Sequence, residues 1–129
     1  MSFAIWSILI AAILPILAGM PAKSGKSGKG YDNAKPRDPA FYADEFRARV
    51  SGAQANSYEA FGFYAVAMLI GLTQGGSIEW LNTLAVIFIV ARLAYIACYI
   101  GNKPTMRSLI WSVGFITSIL TFISPVWGM

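Results

Sequence analysis

Four apolar runs, joined by one long connection and two short ones, constrain this chain more than any other feature. The first, FAIWSILIAAILPILAGM over residues 3–20, is uncharged and has the length of one bilayer span. The second covers about residues 55–73, the third 78–100 and the fourth 106–123. A helix satisfies its own backbone hydrogen bonds, so runs of this length are stable in hydrocarbon as helices. The pattern predicts an all-α, four-transmembrane-helix bundle, with residues 1–129 as a single integral membrane domain whose first partner is the lipid bilayer. Composition agrees: 57% of residues are hydrophobic and 12% charged, far from the usage of a soluble domain.

Local signals refine the boundaries. Pro15 inside the first run predicts a bend. No basic residue precedes that run and no small-residue cleavage site follows it, so it reads as a retained span rather than a signal peptide. The second helix should stop at QGGS, where Gly75 and Gly76 end it and Ser77 caps the third. Thr105 is the expected cap of the fourth, and Pro125 marks its end. The long connection, residues 21–51, begins with Gly, Ser and Lys and reads there as a flexible linker. Its second half reads as helix, with Asp38 as N-cap, Pro39 in the first turn, and AFYADEFRARV running straight into the second span. The Gly25-Lys26-Ser27 tripeptide does not make a phosphate-binding loop, because Met20 stands where that motif requires glycine.

The basic residues set an orientation. Lys23, Lys26, Lys29, Lys35, Arg37, Arg47 and Arg49 fall in the first connection, and Lys103 and Arg107 in or beside the third. The positive-inside rule then places these connections in the cytoplasm and both termini outside, with Trp6, Trp80 and Trp127 as an outer aromatic belt. The net charge of +4 is thus an expression of topology and gives no reason to expect a nucleic-acid partner. With one cysteine, Cys98, and no histidine, the chain offers neither an internal disulfide nor a Cys/His metal site; no metal ligands are assigned.

Polar groups inside the apolar runs carry the functional signal, because they are costly there. On the second helix Arg49, Gly52, Asn56, Glu59 and Phe63 fall on one stripe, with Gln54 off it and Ser57 and Tyr58 beside it. On the third helix Phe88, Arg92, Tyr95 and Tyr99 form a matching stripe at similar depth, and Arg107 and Ser108 open the fourth helix there. One reading is structural: Arg92 and Glu59 neutralise each other, with Asn56 and Tyr95 completing the hydrogen bonds. The other is a cation-rich pocket for a small zwitterionic or anionic ligand, since the polar groups outnumber what one pair requires.

The ordered set AQANSYEAF, ARLAYIACY and PTMRS, with YDNAKPRDP in the first loop, resembles the MAPEG family, membrane-associated proteins in eicosanoid and glutathione metabolism, in its bacterial branch. The resemblance implies a homotrimer with sites between neighbouring subunits, in a bacterial inner membrane. It implies glutathione as co-substrate, a glutathione-dependent transferase or peroxidase activity, and an apolar small-molecule electrophile or lipid hydroperoxide as second substrate. Matched to the family's motifs, Gln54, Asn56, Glu59, Arg92, Tyr95 and Tyr99 would bind glutathione, Gln54 as the counterpart of a glutamine of the leukotriene-synthase type, and Arg107 with Ser108 matches the catalytic pair of the prostaglandin-synthase type. The leukotriene-synthase type has an arginine where this chain has Gly52, and Arg49, one turn earlier, is the candidate substitute. That departure keeps open a non-catalytic alternative, an accessory subunit of a larger complex or a lipid-binding trimer.

Overall fold

The computed structural model describes residues 1–24 and 30–128; Lys26 and Lys29, counted above as basic-loop residues, lie outside the described residues, as does most of the expected linker. Four long helices account for most of the chain: α1 (Phe3–Gly19), α2 (Glu45–Thr73), α3 (Ile78–Ile100) and α4 (Pro104–Phe122). A 3₁₀ turn, Met20–Ser24, extends α1, and a one-turn helix α5 (Ser124–Trp127) closes the chain. The described residues contain no strand. By length and composition, Phe3–Lys23, Ile78–Ile100 and Pro104–Phe122 can each cross a membrane. The remaining long helix, α2, has 29 residues and so extends about 43 Å, longer than a hydrocarbon core.

The chain ends its helices where backbone geometry demands it. After α2, Gly75 takes a positive φ of 95°, open to glycine and strained for a residue with a Cβ, and the Gly76 N–H donates to the Gly71 carbonyl at 2.8 Å. After α3, Asn102 takes the same left-handed role at φ 58°, and the Lys103 N–H donates to the Cys98 carbonyl at 2.8 Å. Both satisfy carbonyls that a helix end would leave unpaired. Ser77 does sit at the N-cap of α3, but its hydroxyl makes no capping bond; its N–H donates to the Gly128 carbonyl at 2.6 Å and ties down the C-terminus.

Two expected caps are corrected. Asp38 does not start α2: its carboxylate accepts from the Ala40 N–H at 3.0 Å in a local turn, and the helix begins at Glu45, with Asp44 accepting from the Arg47 N–H at 3.2 Å. The cause is Arg47. It is only 2% exposed, its Nε donates to the Ala22 carbonyl at 3.0 Å, and its guanidinium lies 4.0 Å from the centre of the Phe41 ring. Ala22, Phe41 and Val50 form a small core around it, which holds the 38–43 segment as turns against α2. Thr105 likewise is not the cap of α4; the helix starts at Pro104, whose missing N–H costs nothing in a first turn.

α2 and α3 pack against each other and each also contacts α1 and α4, so they form the centre of the bundle. Their shared core includes Tyr64, Met68, Leu81, Ala85 and Phe88, with Ala4, Ala11 and Leu14 of α1. The Tyr64 and Phe88 rings stack at 3.8 Å. Buried Tyr64 keeps its polar tip satisfied: its hydroxyl lies 2.5 Å from the Ser7 hydroxyl, which itself donates to the Ala4 carbonyl at 2.6 Å. The Ala4 N–H donates to Asn82 Oδ1 at 2.8 Å, so α1 and α3 begin at the same end. Trp80 and Trp127 meet edge to face there at 5.3 Å, and Glu79 is the one charged side chain at that end among the described residues. The outward faces of all four helices are apolar, as a lipid-facing surface requires, including Leu9, Val66, Val90 and Ile116.

Candidate functional site

At the opposite end, α2, α3 and α4 enclose a cleft of about 530 Å³. Asn56 and Glu59 reach it from α2, Tyr95 and Tyr99 from α3, and Arg107 and Ser108 from α4. Helical spacing explains the convergence on α2 and α3, where each pair is three or four residues apart and so shares one face; Arg107 and Ser108 are neighbours near the start of α4. Deeper between the same helices lies a second space of about 180 Å³, walled by Phe63, Phe88 and Phe115, with Arg92 at its polar edge. Asn56, Glu59 and Trp111 border both spaces, so the polar cleft continues into an aromatic chamber.

Arg92 is 4% exposed and sits where α2 crosses α3. Its Nη2 donates to Asn56 Oδ1 at 2.9 Å and to the Ser57 hydroxyl at 3.4 Å, and its guanidinium lies 4.2 Å from the centre of the Tyr95 ring. The expected Arg92–Glu59 ion pair is not made: no oxygen of Glu59 comes within 4.0 Å of the guanidinium, and Glu59 is exposed to the cleft. The amide one turn earlier takes the place of the carboxylate. Arg107 is half-buried over the Tyr99 ring at 4.4 Å, and it too has no carboxylate within ion-pair distance among the described residues. The cleft therefore holds two guanidiniums whose charge is not neutralised by contact, and one free carboxylate.

Gly52 has a physical reason in this arrangement. A Cβ built at position 52 would collide with the Tyr99 hydroxyl, so the glycine lets that ring lie against α2 beneath Arg107. Arg49 does not replace the missing arginine in the cleft. Its Nε donates to the Ile100 carbonyl at 3.1 Å, closing the end of α3, and its Nη1 lies 3.4 Å from Glu45. Gln54 also points elsewhere: it packs against Gly19 and faces a crevice between the end of α1, the 31–42 loop and α2. Of the residues singled out in the sequence, Asn56, Glu59, Tyr95, Tyr99, Arg107 and Ser108 share the cleft, Arg92 joins it from the inner chamber, and Arg49 and Gln54 lie outside it.

The sequence reading missed two members. Trp111 lies one turn beyond Arg107 and stacks on Phe115 at 5.0 Å, forming the wall common to both spaces; its i+4 spacing from Arg107 was the available signal. Ser57 was placed only beside the stripe, yet it is buried against Arg92 while donating to the Ala53 carbonyl at 2.7 Å.

Comparison with known proteins gives one match. The family model described as the MAPEG family matches residues 3–127, while no curated protein and no solved structure matches the chain. Matched over essentially its whole length, and built as a bundle of long apolar helices, the chain belongs to the MAPEG family and is an integral membrane protein.

Proposed function

We propose that the α2–α3–α4 cleft binds glutathione and that the protein is a membrane glutathione-dependent transferase or peroxidase for apolar electrophiles or lipid hydroperoxides. The observation that carries this reading is the pair of guanidiniums, Arg92 and Arg107, without contacting carboxylates, in a polar cleft that opens inward on an aromatic chamber. Glutathione bears two carboxylates, an ammonium and a thiol. The guanidiniums suit its anionic groups and Glu59 suits its ammonium. Arg107 at the mouth favours the thiolate over the thiol, and the thiolate is the nucleophile. Each unit of thiol pKa depression corresponds to about 1.4 kcal/mol of differential stabilisation. Ser108, beside it, supplies a hydrogen bond to the sulfur.

In conjugation, the sulfur attacks an electrophilic carbon held in the aromatic chamber, the new C–S bond forms, and the leaving group departs with the electron pair of the broken bond. In peroxide reduction, two glutathiones supply the two electrons, giving an alcohol, water and glutathione disulfide. The reading includes a homotrimer, insertion in a bacterial inner membrane, and cytoplasmic placement of the cleft, the last supported by the clustering of basic residues at that end.

Gly52 favours a second reading, a non-catalytic accessory or lipid-binding protein, because Tyr99 occupies the space an arginine side chain would need there. The two readings separate in an assay of glutathione conjugation to a small apolar electrophile by the detergent-purified protein. The catalytic reading expects turnover that Arg107→Ala lowers by about 10²-fold, as loss of a preorganised charge does. Arg107→Lys should recover only part, since an ammonium lacks the planar fork. Absence of turnover across a panel of electrophiles and hydroperoxides gives the accessory reading precedence.

A further inference from the structure

We infer that the inner chamber selects a planar aromatic electrophile, an enone conjugated to a single ring, over an aliphatic one, and that Trp111 sets this preference. This class of second substrate rests on the glutathione reading above. The chamber lies between α2, α3 and α4 and has a volume of about 180 Å³.

Three observations point to a ligand of this chemistry. The first is the wall. Trp111 and Phe115 stack with centroids 5.0 Å apart and planes 9° from parallel, and Phe115 meets Phe63 at 5.6 Å. Phe88 closes the α3 side. A ring entering among rings gains offset-stacked or edge contacts beyond the area it buries, and an alkyl chain gains the area alone. The second is the size. A cavity of roughly 150 Å³ takes one benzene ring, whereas pockets for larger ligands start at about 300 Å³. The chamber therefore takes one ring and not the length of a fatty acyl chain. The third is Gly114. It borders the chamber on α4, and a Cβ built there meets only Arg92 Cδ, at the ordinary contact distance of 3.8 Å. The absence of a side chain at 114 leaves that volume open.

The polar edge accounts for the carbonyl. Arg92 Nη2 donates to Asn56 and Ser57, and the guanidinium fork carries further N–H donors for an acceptor oxygen. With the ring among Phe63, Phe115 and Trp111, the enone extends past Trp111, which lies one turn from Arg107 and borders both the chamber and the cleft. The thiolate sulfur adds to the alkene carbon next to the ring and forms the C–S bond. The alkene electron pair shifts toward the carbonyl, where Arg92 meets the developing negative charge. The enolate then takes one proton from water at its α-carbon, balancing the proton released when the thiol ionised. One glutathione and one enone give one adduct.

The test compares two enones of equal carbon number, benzylideneacetone and the straight-chain 3-decen-2-one, each kcat/KM being divided by the rate with glutathione alone. Wild type should favour benzylideneacetone by about 10-fold, the worth of a ring pair. Trp111→Leu should erase that preference, and Trp111→Phe should keep most of it. Trp80→Leu, at the opposite end of the bundle, should leave it as in wild type. Binding is read separately by fluorine NMR of protein carrying 5-fluorotryptophan at its four tryptophans. Unreactive benzylacetone should shift the Trp111 signal at concentrations where 2-decanone does not. Gly114→Leu, which fills the chamber, should abolish that shift, and Gly114→Ala should reduce it in part. Equal treatment of the two enones by wild type overturns the inference, as does a preference that Trp111→Leu keeps. Turnover without ring preference overturns the inference alone. A selective Trp111 shift with no glutathione turnover would instead overturn the glutathione reading, and with it the enone as substrate, leaving a ring-binding chamber.

Discussion

Arg92 is expected to be coupled to Asn56 more strongly than to Glu59, and a pair of double-mutant cycles measures both. Asn56→Ala removes the 2.9 Å bond from Arg92 and leaves the nine-tenths-buried guanidinium with a longer 3.4 Å contact to Ser57. A hydrogen bond to a charged group contributes about 1.5–3 kcal/mol, and a buried cation left short of partners adds to the loss. Asn56→Ala should therefore cost about 2–3 kcal/mol, with most of it disappearing when Arg92 has already been replaced by Met. Glu59 is exposed to the cleft and beyond ion-pair distance. Its replacement by Gln should cost at most about 1 kcal/mol, in the range of exposed pairs, with correspondingly small coupling to Arg92. Equilibrium unfolding in mixed detergent micelles gives the four free energies of each cycle. A larger coupling for Arg92–Glu59 than for Arg92–Asn56 would refute the placement of these side chains and restore the ion pair.

Three further outcomes follow from the same geometry. Arg47→Met should cost about 2–4 kcal/mol and expose the 38–43 segment to limited proteolysis, because that guanidinium donates to the Phe41 carbonyl at 3.5 Å and lies over the Phe41 ring; unchanged cleavage would contradict the latch. Gly52→Ala should cost about 1–3 kcal/mol by displacing the Tyr99 ring from beneath Arg107, read as a lowered melting temperature. Cysteines placed at Ser77 and at Lys103 should be labelled from opposite sides of sealed vesicles, Lys103 from the cytoplasmic side; the reverse assignment would invert the proposed orientation.

The helices were legible because a bilayer leaves an apolar chain few options, and because Gly75 is a residue type that accepts a left-handed turn. The start of α2 was not. Asp38-Pro39 and Asp44-Glu45 both carry N-terminal signals, and what selects the second is the long-range bond from Arg47 to Ala22, invisible to local spacing. The candidate site shows the same division. Helical periodicity brought Asn56, Glu59, Arg92, Tyr95 and Tyr99 to facing stripes. Which of them touch depends on the register of α2 against α3, set in part by the Tyr64–Phe88 stack, so opposite charge suggested Glu59 where Asn56 makes the contact. Gln54, two residues before Asn56, turns to the other side of the helix, as a separation of two requires.

Equilibrium binding of glutathione to the purified protein, compared between Arg107→Ala and Gln54→Ala, tests the central assignment most directly. If the α2–α3–α4 cleft is the site, wild type binds saturably, and glutathione at 100 times its dissociation constant adds about 2.7 kcal/mol of apparent stability. Arg107→Ala should then weaken binding by about 10-fold or more, the loss of one charged hydrogen bond, while Gln54→Ala leaves it unchanged. Failure of the wild type to bind, or loss of binding in Gln54→Ala with Arg107→Ala unaffected, would contradict the assignment.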